Sequence, residues 1–255
     1  MNKKMCLIGK NISHSLSPKL YNDYFKNNNI DIKYSLCDIN NLEDFIINKS
    51  KDYISFNVTY PYKTLIIKYL NNKENFINES PNLIININNK LVGFNTDGIG
   101  FYDSLIENGI NPNNKNITII GYGGAGKSIN EYLSKNTNAK INILTHNDTN
   151  ILFNENDENY CELTILLNLL YKTDILINAS SAGFNNSQET PITLDIAKKI
   201  YESNKNLIYI DIIYKNKTKL LTFFENHNIK TLDGLPMLKG QFNNNIKILK
   251  ENKLF

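Results

Sequence analysis

The hydrophobic positions of the chain form short apolar runs, and stretches with helical spacing separate these runs. The run at residues 117–120 holds three isoleucines and a threonine, a composition typical of a strand buried on both faces. Similar runs lie at residues 5–8 and 53–58, and each is followed by a segment with one apolar face. Strands that alternate with helices favour an α/β fold with a mainly parallel sheet.

The same pattern predicts further elements along the chain. Strands are predicted at 31–38, 83–87, 90–94, 140–144, 174–177, 207–210 and 229–232. Helices are predicted after Pro18 and Pro61, because proline suits the first turn of a helix, and at 42–47, 98–108, 128–135, 162–171, 194–201, 218–226 and 238–249. The polar segment 111–115 contains Pro112 and is the predicted linker between two domains.

A glycine pattern follows the strand at 117–120. Gly121, Gly123 and Gly126 form G-x-G-x-x-G between this strand and the next predicted helix. The first glycine permits a tight turn, the second lets a pyrophosphate approach the backbone, and the third lets the helix pack close to the strand. In this context the pattern predicts a dinucleotide site, with a glycine-rich turn that binds nothing as the alternative.

Charge and cysteine usage exclude several classes of protein. The net charge of +3 is too small to indicate a nucleic-acid or anionic-membrane partner. All 28 basic residues are lysines, so no guanidinium is available for a phosphate or carboxylate. Cys6, Cys37 and Cys161 are too widely spaced for a metal site or a disulfide framework, which favours a cytoplasmic protein. The abundant asparagines, such as those at 243–245, are interpreted as compositional bias.

Four side chains are local candidates for chemistry. Lys63 is predicted in the first turn of the helix headed by Pro61, where the helix N-terminus would lower its pKa and suit it to proton transfer. Asp97 begins another helix, so it is either a cap or a catalytic group. Ser17 suits an N-cap position, whereas capping does not explain Ser15.

Seven motifs, in this order and with this spacing, resemble the shikimate dehydrogenase family over residues 5–250. They are His14-Ser-Leu-Ser-Pro18, Asn57-Val-Thr-x-Pro-x-Lys63, Gly93-x-Asn-Thr-Asp-Gly98, Gly121-x-Gly-Gly-Ala125, Asn178-Ala-Ser-Ser-Ala-Gly183, Asp211-x-x-Tyr214 and Asp233-Gly-x-x-Met-Leu-x-x-Gln241. The resemblance implies an N-terminal, mainly parallel α/β substrate domain, 1–110, and a C-terminal Rossmann domain, 111–237, with a cleft between them. It also implies that a last helix, 238–253, packs back on the first domain.

The resemblance implies reversible, nicotinamide-dependent reduction of 3-dehydroshikimate to shikimate, an oxidoreductase step of aromatic amino acid (chorismate) biosynthesis. Lys63 and Asp97 would be the catalytic pair. The substrate would contact Ser15, Ser17, Thr59, Lys63, Asn82, Asp97, Tyr214 and Gln241. The cofactor would contact Gly121, Tyr122, Gly123, Gly124, Ala125, Thr145, His146, Asn147, Ile212 and Gly234. No metal is implied, and the protein would be a monomer or homodimer.

The cofactor and the substrate each leave an alternative open. The family usually has Asn-Arg-Thr after the second Rossmann strand, and that arginine meets the 2′-phosphate of NADP; here Thr145-His-Asn147 or Asn147-Asp-Thr149 aligns there, and neither contains arginine. The resemblance implies NADP, and the missing arginine weakens that preference, so NAD stays open as the alternative. Other readings are a quinate/shikimate dehydrogenase and a non-catalytic nucleotide-binding regulatory relative.

Overall fold

The computed structural model describes residues 3–76, 80–145 and 160–255, and it describes the side chains of the last range from residue 166 onward. The chain divides into two compact units, one formed by Met1–Gly100 with Lys239–Phe255 and the other by Phe101–Leu238. Among the described residues, no helix combines the length and apolar character needed to cross a bilayer. The predicted domain limits, at 110/111 and 237/238, stay predictions.

The first unit contains a five-stranded mixed sheet. Its strands are β1 (Lys3–Gly9), β2 (Ile32–Asp38), β3 (Ser55–Val58), β4 (Leu83–Ile87) and β5 (Lys90–Phe94), in the spatial order β2-β1-β3-β4-β5. The first three strands pair in parallel, and β4 and β5 add two antiparallel pairings. The predicted hairpin turn is confirmed, since Asn88 and Asn89 both have positive φ, as a two-residue turn between antiparallel strands favours.

Both faces of this sheet are covered. Alternation along each strand sends Met5 and Leu7 to one face and Cys6 and Ile8 to the other. Helix α1 (Ser17–Asn27) packs on the face of Met5, together with apolar side chains of residues 242–255. The opposite face is covered by α2 (Leu42–Asp44), which continues as a π turn and a 3-10 turn, and by a 3-10 helix at Leu65–Tyr69.

The second unit contains a parallel sheet with helices on both faces. Its strands are β6 (Asn116–Ile120), β7 (Lys140–Leu144), β8 (Ile175–Asn178), β9 (Ile208–Asp211) and β10 (Lys230–Leu232), in the spatial order β10-β9-β8-β6-β7. Its own helices are α4 (Gly124–Asn136), α5 (Tyr160–Tyr171), α6 (Leu194–Ser203) and α7 (Lys219–Asn226), and it shares α3 (Asp97–Glu107) and α8 (Leu235–Glu251) with the first unit. The unit boundaries fall inside α3 and α8.

Alternating residues of the second sheet separate its two cores. Ile175 and Ile177 pack with α3 and α4, whereas Leu176 packs with α6 and α7. The chain leaves β6 for β7 on one side and then crosses back to β8 on the other. This reversal places a crevice at the carboxyl ends of β6 and β8, where doubly wound sheets bind nucleotides. The predicted α/β class with a Rossmann-type sheet is confirmed.

One predicted helix is wrong in a way that concerns the candidate chemistry. Pro61 follows a cis peptide bond and does not begin an α-helix. Residues 59–64 instead form a turn that leads into the 3-10 helix Leu65–Tyr69. Ile66 and Leu70 are buried as predicted, whereas Leu65 is 53% exposed. Lys63 therefore does not lie in the first turn of an α-helix, and the placement predicted for it from the sequence is wrong.

Candidate active site

An ion pair between Lys63 and Asp97 is the centre of the site in the first unit. Lys63 Nζ donates to Asp97 Oδ2 across 34 positions of sequence. The lysine side chain is 19% exposed, whereas the aspartate is 1% exposed. The pair thus combines a buried carboxylate with a cation that still reaches solvent, and so the lysine can meet a ligand.

Asp97 is held by side chains from three separate segments. Its Oδ1 accepts hydrogen bonds from Asn82 Nδ2 at 2.8 Å and from Gln241 Nε2 at 2.9 Å. The backbone N–H of Asp97 donates to Asn95 Oδ1 at 2.8 Å, so Asn95 supplies the side-chain oxygen at this helix start. The carboxylate therefore faces the lysine and two amides. The structure brings together four of the predicted substrate residues: Lys63, Asn82, Asp97 and Gln241.

Glycine makes the approach of Gln241 possible. A Cβ on Gly100 would lie 2.5 Å from the backbone nitrogen of Gln241, and a Cβ on Gly240 would lie 2.3 Å from the carbonyl oxygen of Gly100. Backbone cannot yield to such contacts as a flexible side chain can. This crossing of α3 and α8 therefore requires glycine at both positions, and it delivers Gln241 to Asp97.

Ser17 does not occupy the N-cap position that the sequence predicted for it, and Ser15 makes a hydrogen bond to the backbone near the helix start. Helix α1 has Leu16 at its N-cap, Ser17 is its first residue, and Pro18 lies in the first turn as expected. Ser15 Oγ accepts from the Ser17 backbone N–H at 3.2 Å, so Ser15 performs the local backbone bonding that had been assigned to Ser17. Ser15 Oγ also donates to Ser17 Oγ at 3.2 Å, which places the two hydroxyls side by side.

Thr59 lies where β3 ends, next to the loop that follows β1. Its backbone N–H donates to the carbonyl oxygen of Ile8 at 3.0 Å, which continues the pairing of the two strands. A Cβ on Gly9 would lie 2.5 Å from Cγ2 of Thr59. The absence of a side chain at Gly9 thus lets Thr59 sit against the strand that leads to the two serines.

The predicted phosphate loop has the backbone that a dinucleotide needs. Gly121 has φ +96°, and a Cβ there would lie 2.6 Å from the backbone nitrogen of Ser180, which follows β8. A Cβ on Gly126 would lie 2.2 Å from the Gly121 carbonyl oxygen. Both positions therefore require glycine for packing, whereas a Cβ on Gly123 would meet nothing within 4 Å. That open approach to the N-terminus of α4, whose first N–H groups lack intrahelical partners, fits a pyrophosphate.

The other predicted cofactor residues lie on the second unit, as far as the structure describes them. Tyr122 is 41% exposed beside the phosphate loop, and Gly124 and Ala125 form the first turn of α4. Thr145 is exposed at the end of β7, whereas His146 and Asn147 lie outside the described residues.

Ile212 and Gly234 lie together beyond β9. A Cβ on Gly234 would lie 2.0 Å from the Ile212 carbonyl oxygen, so only glycine fits there. Their roles, like those of the other site residues, stay predictions.

Tyr214 follows the end of β9 by three residues. It lines a cavity of ≈ 380 Å³ in the second unit, with Lys217 and Asp233 among the other lining residues.

Asp211, the last residue of β9, is a fully buried carboxylate. It accepts hydrogen bonds from Thr218 Oγ1 at 2.8 Å, from the Ile213 backbone N–H at 3.1 Å, and from the side chains of Asn178 and Tyr209. Burial raises the pKa of Asp211 above its ordinary value.

Several buried polar residues beside Asp97 escaped the sequence reasoning. Thr96 Oγ1 donates to Asn245 Oδ1 at 2.8 Å, and Asn245 Nδ2 donates to the Tyr21 hydroxyl at 3.0 Å. Asn245 is 3% exposed, and the sequence reasoning predicted no such buried role for it. The available signal was its position four residues after Gln241, which places both amides on one face of a helix.

Comparisons with known proteins agree with this geometry. A family model described as the shikimate dehydrogenase substrate binding domain matches residues 7–78. The shikimate dehydrogenase (NADP(+)) of Caldicellulosiruptor saccharolyticus is 32% identical over 258 residues, which span 94% of this chain and 89% of that protein. Shikimate dehydrogenase 1 from Peptoclostridium difficile has a crystal structure with a TM-score of 0.76 at 27% identity, covering 98% of this chain and 92% of that one.

A second crystal structure carries the cofactor. It is a shikimate dehydrogenase in complex with NADP+, and it matches with a TM-score of 0.78 at 30% identity over 97% of this chain and 89% of that one. The similarity thus extends over both sheets and all seven motifs. The chain belongs to the shikimate dehydrogenase family.

Proposed function

We propose that this protein is a shikimate dehydrogenase that reversibly reduces 3-dehydroshikimate to shikimate with NADPH, a step of aromatic amino acid biosynthesis. The observation that carries the proposal is the Lys63–Asp97 pair, held by Asn82 and Gln241 in the unit that the substrate-domain family model matches. A relative without catalytic function would have no chemical need for a buried aspartate that holds a lysine at a site open to ligand.

The residues of the first unit divide the work of binding and proton transfer. When bound, NADPH would supply the hydride that the carbonyl carbon needs. Lys63 Nζ gives a proton to the carbonyl oxygen as that oxygen becomes a hydroxyl, and takes it back in the reverse direction. Asp97 orients the ammonium group. The amides of Asn82 and Gln241 and the hydroxyls of Ser15, Ser17 and Thr59 suit a substrate with one carboxylate and several hydroxyls.

The second unit is proposed to hold the cofactor. Gly121, Gly123 and the N-terminus of α4 would receive the pyrophosphate, for which the open approach at Gly123 leaves room. The relative from Caldicellulosiruptor saccharolyticus is named as NADP(+)-dependent, and one solved neighbour contains NADP+, which supports NADP here. Because the chain contains no arginine, lysine is the side chain that can offer the 2′-phosphate a full positive charge at neutral pH.

The remaining features of the proposal concern domains, location and assembly. The substrate domain would comprise residues 1–110 with helix 238–253, and the Rossmann domain residues 111–237. Tyr214 would reach the substrate from the second domain. The protein would act in the cytoplasm, as a monomer or homodimer, without nucleic-acid or membrane partners.

Initial rates with two cofactors and two substrates test the function. Purified protein would be assayed with shikimate and with quinate, each against NADP+ and NAD+, by following nicotinamide reduction. Turnover of shikimate with a preference for NADP+ is the expected result. A preference for NAD+ would keep the reaction and reject the cofactor assignment, and comparable turnover of quinate would indicate a quinate/shikimate dehydrogenase. No turnover with any pair would reject the proposal.

A further inference from the structure

A buried chain of hydrogen bonds leads away from the Lys63–Asp97 pair to side chains that contact neither member of it. It begins at Asn82, whose Nδ2 donates both to Asp97 Oδ1 at 2.8 Å and to Thr96 Oγ1 at 3.0 Å. It continues through Asn245, which accepts from Thr96 and donates to Tyr21. Every one of these five side chains is at most 6% exposed.

The hydrogen bonds fix the direction in which Asn82 presents its amide. The Thr96 backbone N–H donates to Asn82 Oδ1 at 2.9 Å, so the oxygen faces Thr96 and the NH₂ group faces Asp97. The second N–H of that group needs Thr96 Oγ1 as its acceptor. Thr96 can accept this bond without competition only if its own proton points elsewhere, because a hydroxyl has a single proton.

Asn245 decides where the Thr96 proton points. Two acceptors lie within reach of Thr96 Oγ1, namely Asn245 Oδ1 at 2.8 Å and Asn82 Oδ1 at 3.2 Å. With Asn245 in place, the shorter bond draws the proton away from Asn82. Without Asn245, the proton would turn to Asn82 Oδ1, the other acceptor, and the hydroxyl would rotate away from the orientation in which it accepts from Asn82 Nδ2.

Tyr21 in turn sets the orientation of Asn245. Its hydroxyl accepts from Asn245 Nδ2 at 3.0 Å, which leaves Oδ1 of that amide for Thr96. The ring of Tyr21 stacks on Tyr34 with centroids 4.2 Å apart, and the Tyr34 hydroxyl donates to Asn57 Oδ1 at 2.9 Å. Asn57 Nδ2 donates to the Asn82 carbonyl oxygen at 2.9 Å, so the stack on Tyr34 links Tyr21 to the same segment that it helps to orient.

We propose that Asn245, anchored by Tyr21, is a positioning residue for the proton-transfer pair. It acts through Thr96 and Asn82 on the orientation of Asp97 and contacts neither reacting group itself. The proposal rests on the proposed function, since it assigns a role within that reaction. It concerns two residues outside the seven motifs by which the family was recognised.

The principal test is the variant Asn245→Leu, which keeps the side-chain size and removes both hydrogen bonds. We expect kcat with shikimate to fall by about 10–100-fold, because small misplacements of reacting groups are costly, while KM for NADP+ stays unchanged. Asn243→Leu, at an exposed position in the same helix, is the matched control and should keep wild-type kcat. A folded Asn245→Leu protein with wild-type kcat would overturn the proposal, and so would a loss that Asn243→Leu shares.

Two smaller changes keep the proposal testable if Asn245→Leu does not fold. Thr96→Val removes the relaying hydroxyl and should lower kcat, whereas Thr96→Ser keeps it and should restore most of the loss. Tyr21→Phe removes only the hydroxyl that orients Asn245 and should lower kcat by about threefold to tenfold. Equal kcat in Thr96→Val and Thr96→Ser would contradict the relay.

A measurement without turnover separates this proposal from the proposed function. The side-chain NH₂ protons of Asn82 should exchange slowly with solvent in the wild type, as judged by NMR, and at least about tenfold faster in Asn245→Leu. That result would support the positioning role even if shikimate were not turned over. Unchanged exchange in the variant would reject the positioning role, whatever the activity of the wild type.

Discussion

Among the residues that the structure describes, each unit buries one aspartate almost completely, and the two carboxylates have opposite surroundings. Asp97 meets a cation, Lys63, and two side-chain amides. Asp211 accepts four hydrogen bonds, all from neutral donors: a threonine, a tyrosine, an asparagine and a backbone N–H. Burial alone therefore does not mark a catalytic carboxylate. The identity of the side chain that contacts the carboxylate is more informative, because proton transfer requires a group such as lysine that can give up a proton.

The sites proposed for the two units also differ in the groups that would form them. The proposed site of the first unit consists of side chains, so it would depend on the identity of Lys63, Asn82 and Gln241. The proposed site of the second unit consists mainly of backbone, since Gly121, Gly126 and the start of α4 would provide its shape and its N–H groups. Substitutions in the first unit should therefore affect turnover most, and substitutions around Asp211 should affect stability most.

The largest expected effect is that of Lys63→Ala. We expect kcat for shikimate oxidation to fall by about 10²–10⁴-fold, because the substitution removes the proton-transfer group. Lys68→Ala, at an exposed lysine five residues further along, is the matched control. Circular dichroism would verify folding of both variants. An active Lys63→Ala enzyme would remove Lys63 from the mechanism.

The next effect is on stability and should appear at Asp211. Asp211→Leu leaves the Thr218 hydroxyl, the Asn178 amide and the Ile213 N–H without their acceptor, which should cost about 2–4 kcal/mol of the free energy of unfolding. Asp97→Asn keeps an acceptor for Asn82 and Gln241 and should cost about 1 kcal/mol or less. Urea denaturation of both variants measures the difference. If the order were reversed, Asp211 would not be the structural member of the pair.

Stability should depend on pH through Asp211. Because its folded pKa is raised above the ordinary 3.8, the folded protein holds a proton that the unfolded chain has lost. Its contribution therefore falls as pH rises from about 4 through the raised pKa, by at most about 1.4 kcal/mol per pH unit. Asp211→Asn should lack this decline. Parallel stability curves for wild type and variant would contradict the raised pKa.

The smallest effect concerns Cys6 and Cys37 in the first unit. It extends the comparison to thiols, since neighbouring groups affect the pKa of Cys37 more than burial does. The neighbouring Cys6 thiol, followed by hydrogen bonds from Tyr53 and Ser35, lowers the pKa of Cys37 below its ordinary 9.0. Alkylation of Cys37 by iodoacetamide, followed by mass spectrometry, should therefore be half-maximal below pH 9. Cys6→Ala should move the midpoint upward. The same midpoint in Cys6→Ala would mean that Cys6 is not the main cause.

The sequence predicted the backbone site better than the side-chain network. The glycine spacing after β6 predicts a tight turn between a strand and a closely packed helix, and the structure has that turn. The sheet order confirms the predicted fold around it. Lys63 and Asp97 were found as a pair only because seven motifs occurred in one order. The prediction of a helix that begins at Pro61 was wrong, because the fixed φ of proline suits a turn as well as the start of a helix. Asn245 was missed because an asparagine-rich sequence obscures the signal that marks it, its position four residues after Gln241 on one face of a helix.

Turnover of shikimate by two aspartate variants tests the account most directly. kcat would be measured with saturating NADP+ for wild type, Asp97→Asn and Asp211→Asn, at a temperature where all three are folded. We expect Asp97→Asn to lose at least about 100-fold and Asp211→Asn to stay within about threefold of wild type. Full activity of Asp97→Asn, or equal losses in both variants, would contradict the distinction between a catalytic and a structural carboxylate.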